Sequence, residues 1–393
     1  MKRLTYLIAI LAAHAASILF AQPGGEIKIS LPHAVADTYF GKSIAVSGTR
    51  AIIGAINAAH IFEYDGAAWK QITTLRENEQ TQNLYGYRVA IDGDYAVVSG
   101  EQAYVYRYDG QRWNQAARLR AKEKSTLVAL SGAWAIAGGG KEITFFQRSG
   151  ETWQEKTKFD PDGHSAGEKA AEVGLKILFG KRARLDPAKS LHDFSAVAIS
   201  GKHAIAGVWK DSDKAAQSGA VYFYELENGD WKKTKRLKPP EPVQNGFFGA
   251  AVDISGDYAI VGAEGNVAAY IYKFTGKEWR LQKTLKVNDA ERKDRFGSAV
   301  AINENFAIVG AMDDNDRREQ GGAVYLFQRT GDDWMQQDKF YSNDLFVNDR
   351  LGMTVALSER AMLVGAASKY DGPRKGNVGA VYAYDLVEKM HTA

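Results

Sequence analysis

Hard oxygen ligands are the first chemistry the sequence offers. Asp313-Asp314-Asn315-Asp316 puts three carboxylates and an amide within four residues, and Asp211 and Asp213 add two carboxylates elsewhere. Ca2+ takes about six to eight such oxygens, so it is the one cofactor these residues suggest. No regular ligand spacing fixes a coordination geometry, and an acidic loop holding no cofactor is the plainer reading. His164 and His192, near Asp160, Asp162 and Asp193, are donor types that bind Zn2+, again without zinc-site spacing. Trp209 and Tyr370 lie on polar stretches, where an aromatic ring can stack on a sugar or on a partner's side chain, or simply pack the framework. Lys181, Arg182 and Arg184 form a basic cluster suited to a partner surface. Enzyme motifs are missing. Residues 36–43 fit a relaxed phosphate-loop pattern, but a strand pattern follows where a helix is needed, and neither H-E-x-x-H nor G-x-S-x-G occurs.

The elements that must position these residues repeat along the chain. Six times a Trp is followed, six residues on, by a large apolar residue: Trp69/Leu75, Trp113/Leu119, Trp153/Phe159, Trp231/Leu237, Trp279/Leu285 and Trp334/Phe340. Between them run short apolar segments such as Ala51-Ile52-Ile53-Gly54-Ala55 and Ala307-Ile308-Val309-Gly310-Ala311. Self-similarity at about 40–55 residues marks a propeller or solenoid. Each unit reads as four strands joined by tight turns, and short continuous apolar runs fit strands buried on both faces. The fold class is therefore all-β, a seven-bladed β-propeller of four-stranded blades. The recurrent Trp residues read as packing between blades. The seventh unit stops after its third strand, near Tyr384, and Glu26-Ile27-Lys28-Ile29-Ser30-Leu31 matches the missing fourth strand. The N-terminal segment is thus expected to close the ring, which removes exposed sheet edges.

Composition narrows the function. With 50 Lys+Arg against 47 Asp+Glu, the charge balance argues against a nucleic-acid surface. There is no Cys, hence no disulfide, thiolate nucleophile or Cys-ligated metal. Residues 1–21 read as a secretory signal: Lys2 and Arg3 begin it, Leu4 to Ala13 is apolar, and Ala13-His14-Ala15 or Ala21 ends it. That apolar run is too short to span a membrane. The expected organisation is a signal peptide at 1–21, a propeller at 22–386 and a C-terminal tail at 387–393, exported to the periplasm or exterior of a bacterium as a monomer.

The best repeat copies are Phe248-Gly249-Ala250-Ala251-Val252 followed by Gly256-Asp257-Tyr258-Ala259-Ile260-Val261-Gly262-Ala263, and Phe296 to Ala311. This pattern resembles the FG-GAP repeat, which builds the seven-bladed propeller of integrin α subunits and of many secreted bacterial proteins. The resemblance covers residues 26–386. It implies a binding or adhesion role without fixing a ligand, since propellers host many functions. The Asp-x-Asp-x-Asp-Gly calcium loop of several integrin repeats has no counterpart here. The matching turns, such as Ser47-Gly48-Thr49-Arg50 and Ser255-Gly256-Asp257-Tyr258, are too short and too poor in carboxylates.

Antiparallel order puts the one–two and three–four turns on one face and every long connection on the other, where function is expected. The longest connection lies between blades 3 and 4. Within it, residues 160–190 are expected to form a helical insertion, with Ala170, Val173, Ile177 and Leu178 at helical spacing over Ala166 to Leu185. The leading expectation is a non-catalytic module that binds a protein or a glycan through this face, by way of Trp209, Asp211, Asp213, Asp313, Asp314, Asp316, Tyr370, Lys181, Arg182 and Arg184. A lectin or carbohydrate-active enzyme, or a structural envelope or matrix protein, are the alternatives.

Overall fold

A computed structural model describes residues 25–32, 36–77, 85–122, 124–161, 193–370 and 376–386. Within them, 28 strands form seven antiparallel four-stranded sheets, arranged as the blades of a ring. In blade 1 the strands are Ser43–Ser47, Arg50–Ala55, Ala58–Tyr64 and Trp69–Leu75, innermost to outermost. The innermost strands of successive blades touch around the ring and wall a central channel.

Ring closure follows the expectation. Glu26–Ile29 is the outermost strand of blade 7, whose other strands are Thr354–Leu357, Ala361–Ala366 and Ala380–Asp385. It pairs antiparallel from Glu26 opposite Tyr384 to Ile29 opposite Val381. Ile29 is fully buried, and the Glu26 carboxylate accepts from the Tyr384 hydroxyl at 2.9 Å. Burial pushes the Glu26 carboxyl up, against the pull of Tyr384 and the Asn343 N–H. The described residues contain no α-helix, only the 3-10 turns Glu264–Asn266 and Arg292–Asp294. The helical insertion expected at 160–190 falls almost wholly on residues 162–192, outside the described residues.

The repeat signature is the joint between blades. Among the described residues, the phenylalanine of each Phe-Gly pair packs edge-on against the third strand of its own blade, as Phe248 on Tyr270 at 5.4 Å and Phe296 on Tyr325 at 5.1 Å. The glycine beside it meets the Gly of the preceding blade's Gly-Ala strand, as Gly297 against Gly262. The Trp residues also join blades: Trp231 stacks on Phe145 at 4.7 Å and Trp279 on Phe223 at 4.6 Å, each a ring of the blade before. In blades 1 to 6 a bulge between the third and outermost strands, such as that at Ile271/Tyr272, sharpens the twist.

One position of the channel wall breaks the repeat. By strand register it holds Ala45, Ala90, Ala129, Ala198, Ala301 and Ala356 in six blades and Asp253 in blade 5. The Asp253 carboxylate accepts from the Ile302 N–H of blade 6 at 2.9 Å. Burial nevertheless pushes this carboxyl up to about 6, with the Ile302 and Ile254 N–H groups pulling the other way. A carboxyl whose pKa is higher folded than unfolded binds its proton more tightly in the folded state. Its ionisation therefore destabilises the fold above pH 6, and that cost disappears as pH falls through the window from about 6 to about 4. Relative to wild type, Asp253→Ala is expected to gain stability between pH 4 and pH 8, by at most about 3 kcal/mol. Urea titrations of both proteins at the two pH values check this; a difference independent of pH would refute it. His60, whose imidazole burial lowers to about 4, pulls in the opposite sense and is common to both proteins, so it cancels.

Candidate functional site

The two–three connections and the blade-to-blade links share one face, as the strand order requires. Three of these connections are long: residues 209–219, 312–322 and 367–379. Several of their described charged residues are held by ion pairs to the strand ends and blade-to-blade links beneath them.

In blade 4, Asp211 is fully buried and accepts from Arg236 and Lys238 at the end of the outermost strand. Asp213 takes the same two partners, at 2.6 and 3.3 Å. Blade 6 repeats the device. Lys339 sits among Asp314 at 2.8 Å, Asp316 at 2.6 Å and Asp289 at 2.9 Å. Burial opposes the charge on Lys339, but the bonds to Asp314, Asp316, Tyr325 and Asp289 outweigh it and raise its pKa. Blade 7 reverses the sign. Lys369 stands where the other two loops have Asp211 and Asp314, and it bonds Asp349 at 2.7 Å and Asp344 at 3.3 Å. In each blade a buried ion pair pins the loop.

The acidic quartet expected at 313–316 is therefore divided. Asp314 and Asp316 close on Lys339, whereas Asp313 faces Arg350 at 3.2 Å and Arg295 at 3.6 Å. The Asn315 amide donates to Asp294 and to the Asp313 carbonyl. Among the described residues, no three His, Cys, Asp or Glu side chains converge as a metal-binding set. Trp209 packs edge-on against Phe247, 5.2 Å between centroids, with the Lys210 ammonium 5.2 Å from its ring. Tyr370 is 45% exposed at the rim. Lys181, Arg182 and Arg184 lie outside the described residues, as do His164 and His192.

The channel opens on this face. Its volume is about 1130 Å3. The wall is built from the innermost strands, and its described side chains are mostly aliphatic, with Asp253 the one carboxylate among them. Trp209, Phe247, Met312 and Met353 border one part of the mouth and Tyr39, Lys42, Tyr87 and Arg88 another. Arg295 and Glu264, also at the mouth, form a bidentate pair at 2.8 and 3.0 Å. Sequence reasoning singled out Trp209 here but not Lys42 or Arg88. A signal existed: aligned on the repeat glycine, Lys42 stands where blades 5, 6 and 7 have Ala250, Ser298 and Met353, and Arg88 where they have Ala251, Ala299 and Thr354.

The FG-GAP repeat family matches residues 231–272, 279–327 and 334–384. Each match starts at the Trp of an outermost strand and ends in the third strand of the next blade, so the sequence repeat straddles two blades. Comparison with curated proteins finds no match. Solved structures with similar backbones include the RRP9 WD40 repeats, with TM-score 0.59, 9% identity, and coverage of 93% of this chain and 99% of that one. A chain of the Mitotic Checkpoint Complex gives TM-score 0.58 at 10% identity, covering 98% and 99%. U3-55K gives 0.58 at 8% identity, covering 92% and 98%. At such identities the likeness concerns the fold alone.

Proposed function

Because the chain belongs to the FG-GAP repeat propellers, we propose that it is an exported, non-catalytic binding module that meets a macromolecular partner with its long-loop face. The distribution of exposed apolar side chains carries this reading. Of the eight large ones among the described residues, Tyr87, Val243, Phe346, Val347 and Tyr370 lie on this face. Ile72, Leu281 and Met335 lie on outermost strands, and the opposite face has none. Phe346 and Val347 are adjacent and 61% and 48% exposed, which marks the link between blades 6 and 7 as the centre of the contact. Their aliphatic and aromatic surface suits a protein partner better than a glycan, whose hydroxyls need polar counterparts. Lys339, seated among three aspartates, leaves the blade 6 loop no need of a cation. Residues 1–21 supply the export signal, and no helix among the described residues is long and apolar enough to cross a membrane.

The test begins with thermal melting of residues 22–393 against glycans and CaCl2. A ligand selective for the folded state raises the melting temperature by mass action. No shift is expected from either class. A protein partner bound by the wild type should be lost by the Phe346→Asp, Val347→Asp double variant at unchanged melting temperature. A rise with a sugar would instead support the lectin reading, with Tyr370 and Tyr87 as the stacking residues, and a rise with Ca2+ would mean that the aspartates release Lys339.

A further inference from the structure

The cations at the channel mouth set Lys42 and Arg88 apart. Of the three described basic residues that line the channel, Arg295 is neutralised by Glu264 and Asp313; nearby, Arg350 pairs with Asp313, Lys210 with Asp193 at 3.3 Å, and Lys369 with Asp344 and Asp349. Lys42 and Arg88 have no carboxylate within ion-pair distance among the described residues. Lys42 Nζ lies 4.3 Å from the centre of the Tyr87 ring, and the Arg88 guanidinium 4.9 Å from it, so one exposed ring serves two cations. Both are partly buried. Burial lowers the pKa of each, and the positive charge of Arg88 lowers that of Lys42 further. Two half-desolvated like charges cost free energy unless an anion joins them.

The surroundings define the anion. Below the pair the side chains of the channel wall are mostly aliphatic: Val89 follows Arg88, and Ile44 follows Lys42 after Ser43. Such aliphatic side chains receive an apolar group readily. A guanidinium beside an ammonium matches the two oxygens of a carboxylate.

We propose that Lys42 and Arg88 form an anion seat that takes a carboxylate whose attached apolar group enters the channel. Two sources share this chemistry, a free amphiphilic carboxylate and a peptide ending in an apolar residue. The site goes beyond the partner surface proposed above and stands or falls separately, since Phe346 and Val347 take no part in it.

Titration calorimetry of the purified full chain tests the seat. Octanoate and an acetylated peptide ending in leucine with a free carboxylate are the probes; octanol, acetate and inorganic phosphate are the controls. At least one carboxylate probe should bind, and octanol, acetate and phosphate should each bind at least about tenfold more weakly than it. Lys42→Met with Arg88→Met should weaken binding at least about tenfold while the melting temperature holds or rises, because no ion pair is broken. If the double variant fails to fold, the two single variants give the same reading. Tighter binding of the peptide assigns the seat to a protein terminus, and tighter binding of octanoate to a free amphiphile. Equal binding of octanol and octanoate, affinity unchanged in the variants, or no binding of either carboxylate probe would overturn the proposal.

Discussion

Removing residues 22–32 from the chain that begins at residue 22 should destabilise the propeller severely, whereas removing residues 387–393 should leave it nearly unchanged. The first deletion takes away the outermost strand of blade 7. That strand contributes the ladder from Glu26 opposite Tyr384 to Ile29 opposite Val381, the fully buried Ile29, and the partly buried Ile27 and Leu31 packed against the cluster that includes Phe40 and Trp69. Burial of Ile29 alone is worth about 1.5–3 kcal/mol. With about 1 kcal/mol net for each ladder hydrogen bond, the loss is on the order of 5 kcal/mol, and the third strand Ala380–Asp385 becomes a bare edge. Glu26 deepens the effect, because its carboxylate also accepts the Asn343 N–H and so ties the last blade to the link before it. Urea midpoints of the two truncations should differ widely. Equal midpoints would show that the ring does not depend on its N-terminal strand.

The same strand shows how far the sequence could be read. Its role was legible because blade 7 lacks a Trp strand and residues 26–31 match one. Repetition made each blade evidence for the others, so the strand order, the closing strand and the packing role of the Trp residues could be inferred together. What repetition conceals is departure from it. Lys339 and Asp314 lie 25 residues apart, and nothing local announces that a strand-end lysine will sit among loop aspartates. In sequence the acidic loop therefore offers hard oxygen ligands with nothing to show that an ammonium already lies among its carboxylates. Lys42 and Arg88 belong to different blades and share the Tyr87 ring only because the propeller sets Phe40-Gly41 and Tyr85-Gly86 in neighbouring blades. Asp253 stands out only against the six alanines that share its register, which is a comparison across blades and not along the chain. The fold is written in what recurs, and the candidate sites lie where one blade differs.

Among recurring features, the paired glycines should be the least tolerant of change. Gly262→Ala is expected to cost about 3 kcal/mol or more. A methyl group there would be forced into the carbonyl oxygen of Gly297 in the next blade, deep inside van der Waals contact. The obstacle is backbone, and Gly297 is itself fixed at φ +98, a conformation that side chains rarely adopt, so neither partner can turn away. Relief requires blades 5 and 6 to separate, which opens the apolar interface of Ile260, Ile271, Val300 and Val309. Equivalent pairs at Gly54/Gly86, Gly207/Gly249, Gly310/Gly352 and Gly365/Gly41 bring the same atoms together, so the closeness sets the spacing of the ring. Gly256→Ala is the control. Gly256 also has positive φ, +55, but open space around it, so the change should cost only the left-handed strain of about 1–2 kcal/mol. Urea unfolding of both variants separates crowding from strain. If Gly262→Ala is no worse than Gly256→Ala, the close approach of blades has no part in keeping the strand glycines.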